Sequence, residues 1–170
     1  MKIENGSAVA RAMVVTLSVV LAAPALAAVP AEYPSGHGAL QRWDASGIAL
    51  TPTWVKIWLA FLGAAFLSSL FFVRRNVPAR WVIIFFVASL FVTPAVFRLL
   101  GLPFLSGSIA IGHLVFWTMP LIILLKERAF MSAEYGNAYR IWSAAVTFAI
   151  LFSFVFDIRD AAIYIAHFSG

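Results

Sequence analysis

The sequence predicts an all-α membrane protein: a four-helix transmembrane bundle, N-out and C-out, behind a cleavable N-terminal signal peptide. Three observations carry this expectation. Of 170 residues, 63% are hydrophobic and 11% charged, more apolar side chain than a soluble domain of this size can cover. Four apolar runs approach the ~20 residues that cross a bilayer core. Positive charge is concentrated in alternate connections between those runs.

Residues 1–27 read as the signal peptide. Lys2 and Arg11 precede an apolar stretch from Met13 to Ala23, Pro24 breaks it, and Ala25-Leu26-Ala27 supplies the small residues of a cleavage site. Glu4 and the long leading region leave an alternative, an uncleaved anchor that would form a fifth span. In either case Ala28 begins outside the cytoplasm, in the periplasm of a bacterial cell. Residues 28–54 are an external segment, extended or turn-like, whose Pro, Gly and Ser content is too polar for a span and too short for a domain. His37 and Trp43 lie there, and a histidine in a Gly-rich loop is usually a solvated one.

The membrane domain is residues 55–170, with spans at about 55–73, 81–100, 106–125 and 141–156 or longer. Arg74, Arg75 and Arg80 occupy the first connection, and Lys126, Arg128 and Arg140 the third. Both are therefore expected in the cytoplasm, and the chain as a multi-pass protein of the bacterial inner membrane. Trp54, Trp58, Trp81 and Trp142 fall at predicted span ends, where interfacial aromatics belong. On the first span Ala60, Gly63, Ala64 and Ser68 form a small-residue seam for close helix packing, within the chain or between copies. No internal repeat is visible, which argues against the inverted-repeat transporters. The net charge of +5 is scattered among apolar runs rather than gathered into a phosphate-binding face, so no nucleic-acid partner is expected. The expected partners are the lipid bilayer and either another membrane protein or a second copy.

The last span carries the chemistry that needs explaining. Asp157, Arg159 and Asp160 interrupt an otherwise apolar run from Ile141 to Phe168. At ~1.5 Å per residue, Asp157 and Arg98 reach the outer half of the bilayer, and His113 lies about 10 Å below the outer surface. Arg98, His113, Asp157, Arg159 and Asp160 thus form a candidate polar cluster at one depth. If the helix continues, Ser153, Asp157, Asp160, Tyr164 and His167 share an arc of about 80°. Ser106, His113, Trp117 and Pro120 share another face, on the third span. An ionised group facing lipid costs at least ~2.5 kcal/mol, so these faces should turn inward, with Arg98 paired to Asp157 or Asp160. The alternative is that "DIRD" marks the membrane exit and "AAIYIAHF" is a separate interfacial helix.

Several chemistries can be weighed. With no cysteine, disulfides, thiolate metal sites and Cys redox relays are excluded. No cofactor is predicted; a haem between His113 and His167 requires the fourth span to bend. A metal on His113, Asp157 and Asp160 would compete with Arg98 and Arg159 for the carboxylates. The inner half of the spans reads as nearly pure Leu, Ile, Phe, Val and Ala, with only Ser68 and Ser69, which disfavours a through-pathway and favours a periplasm-facing pocket.

One stretch, "ERAFMSAEYGNAYRIW" (127–142), resembles the C-terminal Glu…Phe/Tyr-Gly-x-x-Tyr tail of the membrane isoprenylcysteine and phospholipid methyltransferases. The resemblance implies that Glu127, Glu134, Tyr135, Gly136 and Tyr139 help hold S-adenosylmethionine at the cytoplasmic face. The family's upstream Arg-His-Pro element is missing, and a further span follows where that family ends. The same residues also read as an amphipathic cytoplasmic turn with Gly136 ending a helix. Lacking an evident catalytic set, the chain is expected to be an accessory, assembly or structural subunit. The alternative is a small transporter or ligand sensor that uses the outer polar cluster.

Overall fold

A computed structural model describes residues 38–169; the signal-peptide expectation and His37 lie outside them. The described chain is helical. A short helix α1 (Ala45–Leu50) precedes α2 (Thr53–Leu67), which a 3-10 turn extends through Ser68–Phe71. Then come α3 (Val77–Leu99), α4 (Ser106–Glu127), a 3-10 turn at Ala129–Met131, and α5 (Asn137–Ser169). Four of these segments are long and apolar enough to cross a membrane: Thr53–Phe71, Val77–Leu99, Ser106–Met131 and Asn137–Ser169.

Local chemistry sets the helix ends. Pro78 sits in the first turn of α3, where its missing N–H costs nothing, so that helix starts four residues earlier than the apolar run suggests. Gly101, at φ +67, ends it: its N–H reaches Arg98 O at 3.1 Å and the Leu102 N–H reaches Phe97 O at 2.9 Å. Arg80 donates to the carbonyls of Val73 and Arg74 and so holds the α2–α3 connection. The last helix is 33 residues long, about 50 Å, well beyond a ~30 Å core. No Gly or Pro interrupts it, and Ala161, Tyr164 and Phe168 carry its buried face past the charges. The separate interfacial helix is therefore replaced by one continuous helix through Asp157.

In packing, α4 is the central element. Its most extensive contacts are with α5 and α3; α2 touches α3 and α5 more sparingly. Two apolar cores result. One, toward the α4–α5 connection, includes Phe66, Val82, Leu124, Val146 and Ile150, all without exposed surface. The other, toward the α3–α4 connection, joins Phe97, Leu105, Ile111, Ala161, Tyr164 and Phe168. In lipid such packing gains from dispersion and close approach rather than from expelling water. Gly112 is the clearest case, since a Cβ there would overlap the Thr93 side chain.

Residues 38–52 cap the second end. An isolated antiparallel bridge joins Arg42 to Leu105, and the N–H groups of Ser106 and Gly107 donate to Gln41 O and Ala39 O at 3.0 and 2.7 Å. Orphan donors of the α4 N-terminus are thereby satisfied by a distant segment. The Gln41 amide, buried at 3% exposure, donates to Gly47 O and Thr51 Oγ1. Asp44 Oδ1 caps α1 by accepting from the Gly47 N–H at 2.9 Å.

The aromatic and small residues singled out in the sequence take these places. Trp142 is buried in the first core, and Trp58 is half-buried against Phe152, ring centroids 4.5 Å apart. In the proposed seam, Ala60 and Ala64 are exposed, Gly63 is half-buried, and the Ser68 hydroxyl donates to Ala65 O at 2.8 Å.

Candidate functional site

Between the two apolar cores lies a polar layer. On α3, Ser89 and Thr93 are one helical turn apart; on α4, His113 and Trp117 are too; on α5, Ser153 and Asp157 repeat the spacing. The four-residue period keeps each pair on the buried side of its helix. Because α2 packs sparingly, the layer opens into a cavity of about 620 Å³. Trp54, Trp58, Leu62 and Gly63 of α2 form one wall, and Gln41, Trp43 and Thr51 of the cap close the end.

The His113–Asp157 pair is the centre of the site. His113 Nδ1 lies 3.2 Å and 3.3 Å from the two Asp157 oxygens, with the side chains 18% and 14% exposed. A carboxylate oxygen accepts hydrogen bonds, so Nδ1 is the ring nitrogen that donates to Asp157, and Nε2 is left without a partner among the described residues. The imidazole stacks on Trp117, centroids 3.7 Å apart and planes 14° apart. Trp117 is 1% exposed and is itself fixed, its Nε1–H donating to Ser89 Oγ at 3.2 Å while the Ser89 hydroxyl donates to Phe86 O at 2.7 Å. A chain of contacts from α3 through α4 to α5 thus orients the imidazole.

Of the sequence candidates, His113, Asp157, Arg159 and Asp160 line the cavity, though Arg159 is exposed and Asp160 half-buried. Arg98 does not line it. It is exposed at the end of α3 and forms no ion pair with Asp157 or Asp160, so the expected pairing is replaced by His113–Asp157. The reason is the face of α3 on which Arg98 lies: its neighbour Phe97 is the residue turned toward α5, its ring 5.6 Å from that of Tyr164. Ser89, Thr93, Gln41 and Thr51 were not among the candidates; single hydroxyls and amides in apolar runs carry no sequence signal of a shared layer. Trp117 and Ser153 did fall on the inward faces read from the helical period.

The haem geometry fails. With α5 continuous, His167 stands about 15 Å beyond Asp157, which His113 touches, and His167 is exposed. Among the described residues no group of three or more His, Asp or Glu side chains is disposed to hold a metal ion. The half toward the α4–α5 connection is also less apolar than expected: Ser143 and Thr147 of α5 are buried, and neither hydroxyl has a hydrogen-bond partner among the described residues.

At the opposite end, Glu127 gathers the residues of the methyltransferase-like stretch. Its carboxylate accepts from Tyr135 OH at 2.9 Å and Tyr139 OH at 3.1 Å. The hydrogen bond to Glu127, with partial burial and the Glu127 charge, raises the Tyr135 pKa above its usual 10.0. Both carboxylate oxygens are therefore engaged in tying the loop to α5. Gly136 precedes a helix rather than ending one, its carbonyl accepting from the Tyr139 and Arg140 N–H groups. No protein-family profile matches the chain, and no characterised protein or solved structure matches it either.

Proposed function

We propose that this is an integral membrane protein that binds a small, largely apolar molecule in the cavity between its helices, as a sensor or carrier. The observation that supports this reading is the His113–Asp157 pair set into the wall of a cavity of about 620 Å³, within the ~300–1,000 Å³ of small-molecule sites. A purely structural hydrogen-bonded pair needs no such space beside it. The reading includes placement in a bacterial inner membrane, with residues 1–27 removed and the cap in the periplasm. The cations at 74, 75, 80, 126, 128 and 140 support that orientation, since they lie in the two connections away from the cap or in the helix turns next to them.

Gly63 provides the test. It lines the cavity, and a Cβ there meets nothing within 4 Å. Gly63→Leu should fill the space without a clash and improve helix propensity by about 1 kcal/mol. The variant is expected to fold as well as the native chain while losing the small molecule detected by native mass spectrometry after mild detergent extraction. Retention of the same molecule by Gly63→Leu would exclude the cavity as its site.

A second reading, an accessory subunit, draws on the outward-facing Ala60 and Ala64 of α2. A stoichiometric partner that Ala60→Leu releases and Gly63→Leu retains would favour it.

A further inference from the structure

We infer that the cavity takes an amphiphile whose head is an aromatic ring bearing a hydroxyl, a phenol or a quinol, with that hydroxyl donating to His113 Nε2. This rests on the reading of the cavity as a ligand site and adds the class of ligand. Asp157 accepts the Nδ1–H, so in the neutral ring the lone pair is on Nε2, which has no partner among the described residues. In an apolar chamber an acceptor is matched by an O–H or N–H donor. A carbonyl or ether oxygen at the same place would set lone pair against lone pair.

The walls select the rest of the molecule. Trp54, Trp58, Phe86, Phe152 and Phe156 present flat apolar surface, and the stacked His113 and Trp117 rings continue it beside Nε2. Aromatic heads prefer such offset or edge-on partners. The Asp157 carboxylate, held at the other nitrogen of the same ring, lines the cavity and disfavours an anionic head such as a fatty-acid carboxylate.

The test compares 4-octylphenol with 4-octylanisole on the full chain in detergent micelles, read by tryptophan fluorescence. The two share ring and tail, but the ether keeps the oxygen and lacks the donated hydrogen. The phenol is expected to bind about tenfold more tightly, the equivalent of one hydrogen bond. Asp157→Ala removes the acceptor that holds the proton on Nδ1, so the tautomer is no longer fixed and the preference for the phenol should shrink or vanish. A 4-ethylphenol that binds as well as 4-octylphenol would assign a small soluble phenol, and a strong dependence on chain length a membrane-borne quinol. Equal affinity for phenol and ether would overturn the hydroxyl assignment and leave the cavity reading standing. Tighter binding of octyltrimethylammonium would replace it with an organic-cation site. Failure of all three octyl probes, with Gly63→Leu indistinguishable from the native chain, would overturn both.

Discussion

Asp157 is tolerable inside an apolar helix because His113 supplies a donor and the cavity supplies polarisable surroundings. Removing the carboxylate leaves Nδ1–H without its acceptor, so Asp157→Ala should lower stability by about 1–3 kcal/mol. Arg98, exposed and unpaired with either carboxylate, should tolerate alanine within about 0.5 kcal/mol. The two changes should also add, because Arg98 is exposed and shares no ion pair or hydrogen bond with Asp157. Thermal unfolding of the two single variants and the double variant in detergent measures this. A coupling well above ~0.5 kcal/mol would mean that Arg98 and Asp157 do interact. Trp117 tests the next contact outward: Trp117→Phe keeps the stacked ring but drops the bond to Ser89, at a cost of about 1 kcal/mol.

At the scale of elements, two glycines separate close packing from empty space. Gly112 lies against Thr93, so Gly112→Leu must push α3 from α4 and should cost about 1–3 kcal/mol, in contrast to the tolerated Gly63→Leu. Similar melting temperatures for the two variants would contradict that distinction. The loop between α4 and α5 depends on Glu127 and should show it in pH. Because the folded Tyr135 pKa is raised above 10.0, its contribution is fully present below that value and is lost as pH rises through the folded pKa. Stability should therefore fall more steeply above about pH 10 in the native chain than in Tyr135→Phe. The elements were also the legible part of the sequence. Apolar length is a one-dimensional property, and Pro78, Gly101 and the uninterrupted run after Ile141 act locally. The neighbour of each helix was not legible, because which helix separates which is decided in three dimensions. The period of α4 turned His113 and Trp117 inward correctly, while Arg98 was assigned by depth alone, and depth does not say which way a helix faces.

The whole molecule is asymmetric along its axis, with the cap, the cavity and the long end of α5 on one side and the Glu127 loop on the other. Since α5 is about 50 Å long against a ~30 Å core, an upright helix leaves roughly 20 Å of it outside the hydrocarbon. The end that projects with the cap is its C-terminal part, because Tyr164 OH donates to Pro103 O at 2.9 Å and Phe168 belongs to the core beside Leu105. The cations of the two opposite connections, unable to cross, should hold that opposite end in the cytoplasm. The chain contains no cysteine, so a single introduced thiol reports its own side without background. Gly38→Cys and Ser169→Cys should react with a membrane-impermeant maleimide added to the periplasmic side of spheroplasts. Met131→Cys, at a position 71% exposed in the opposite loop, should react only after permeabilisation. The reverse pattern would put the cavity's capped end in the cytoplasm and change which compartment a ligand or partner must come from. Labelling of Gly38→Cys and Ser169→Cys from opposite sides would mean an odd number of crossings between them, which four antiparallel spans cannot give.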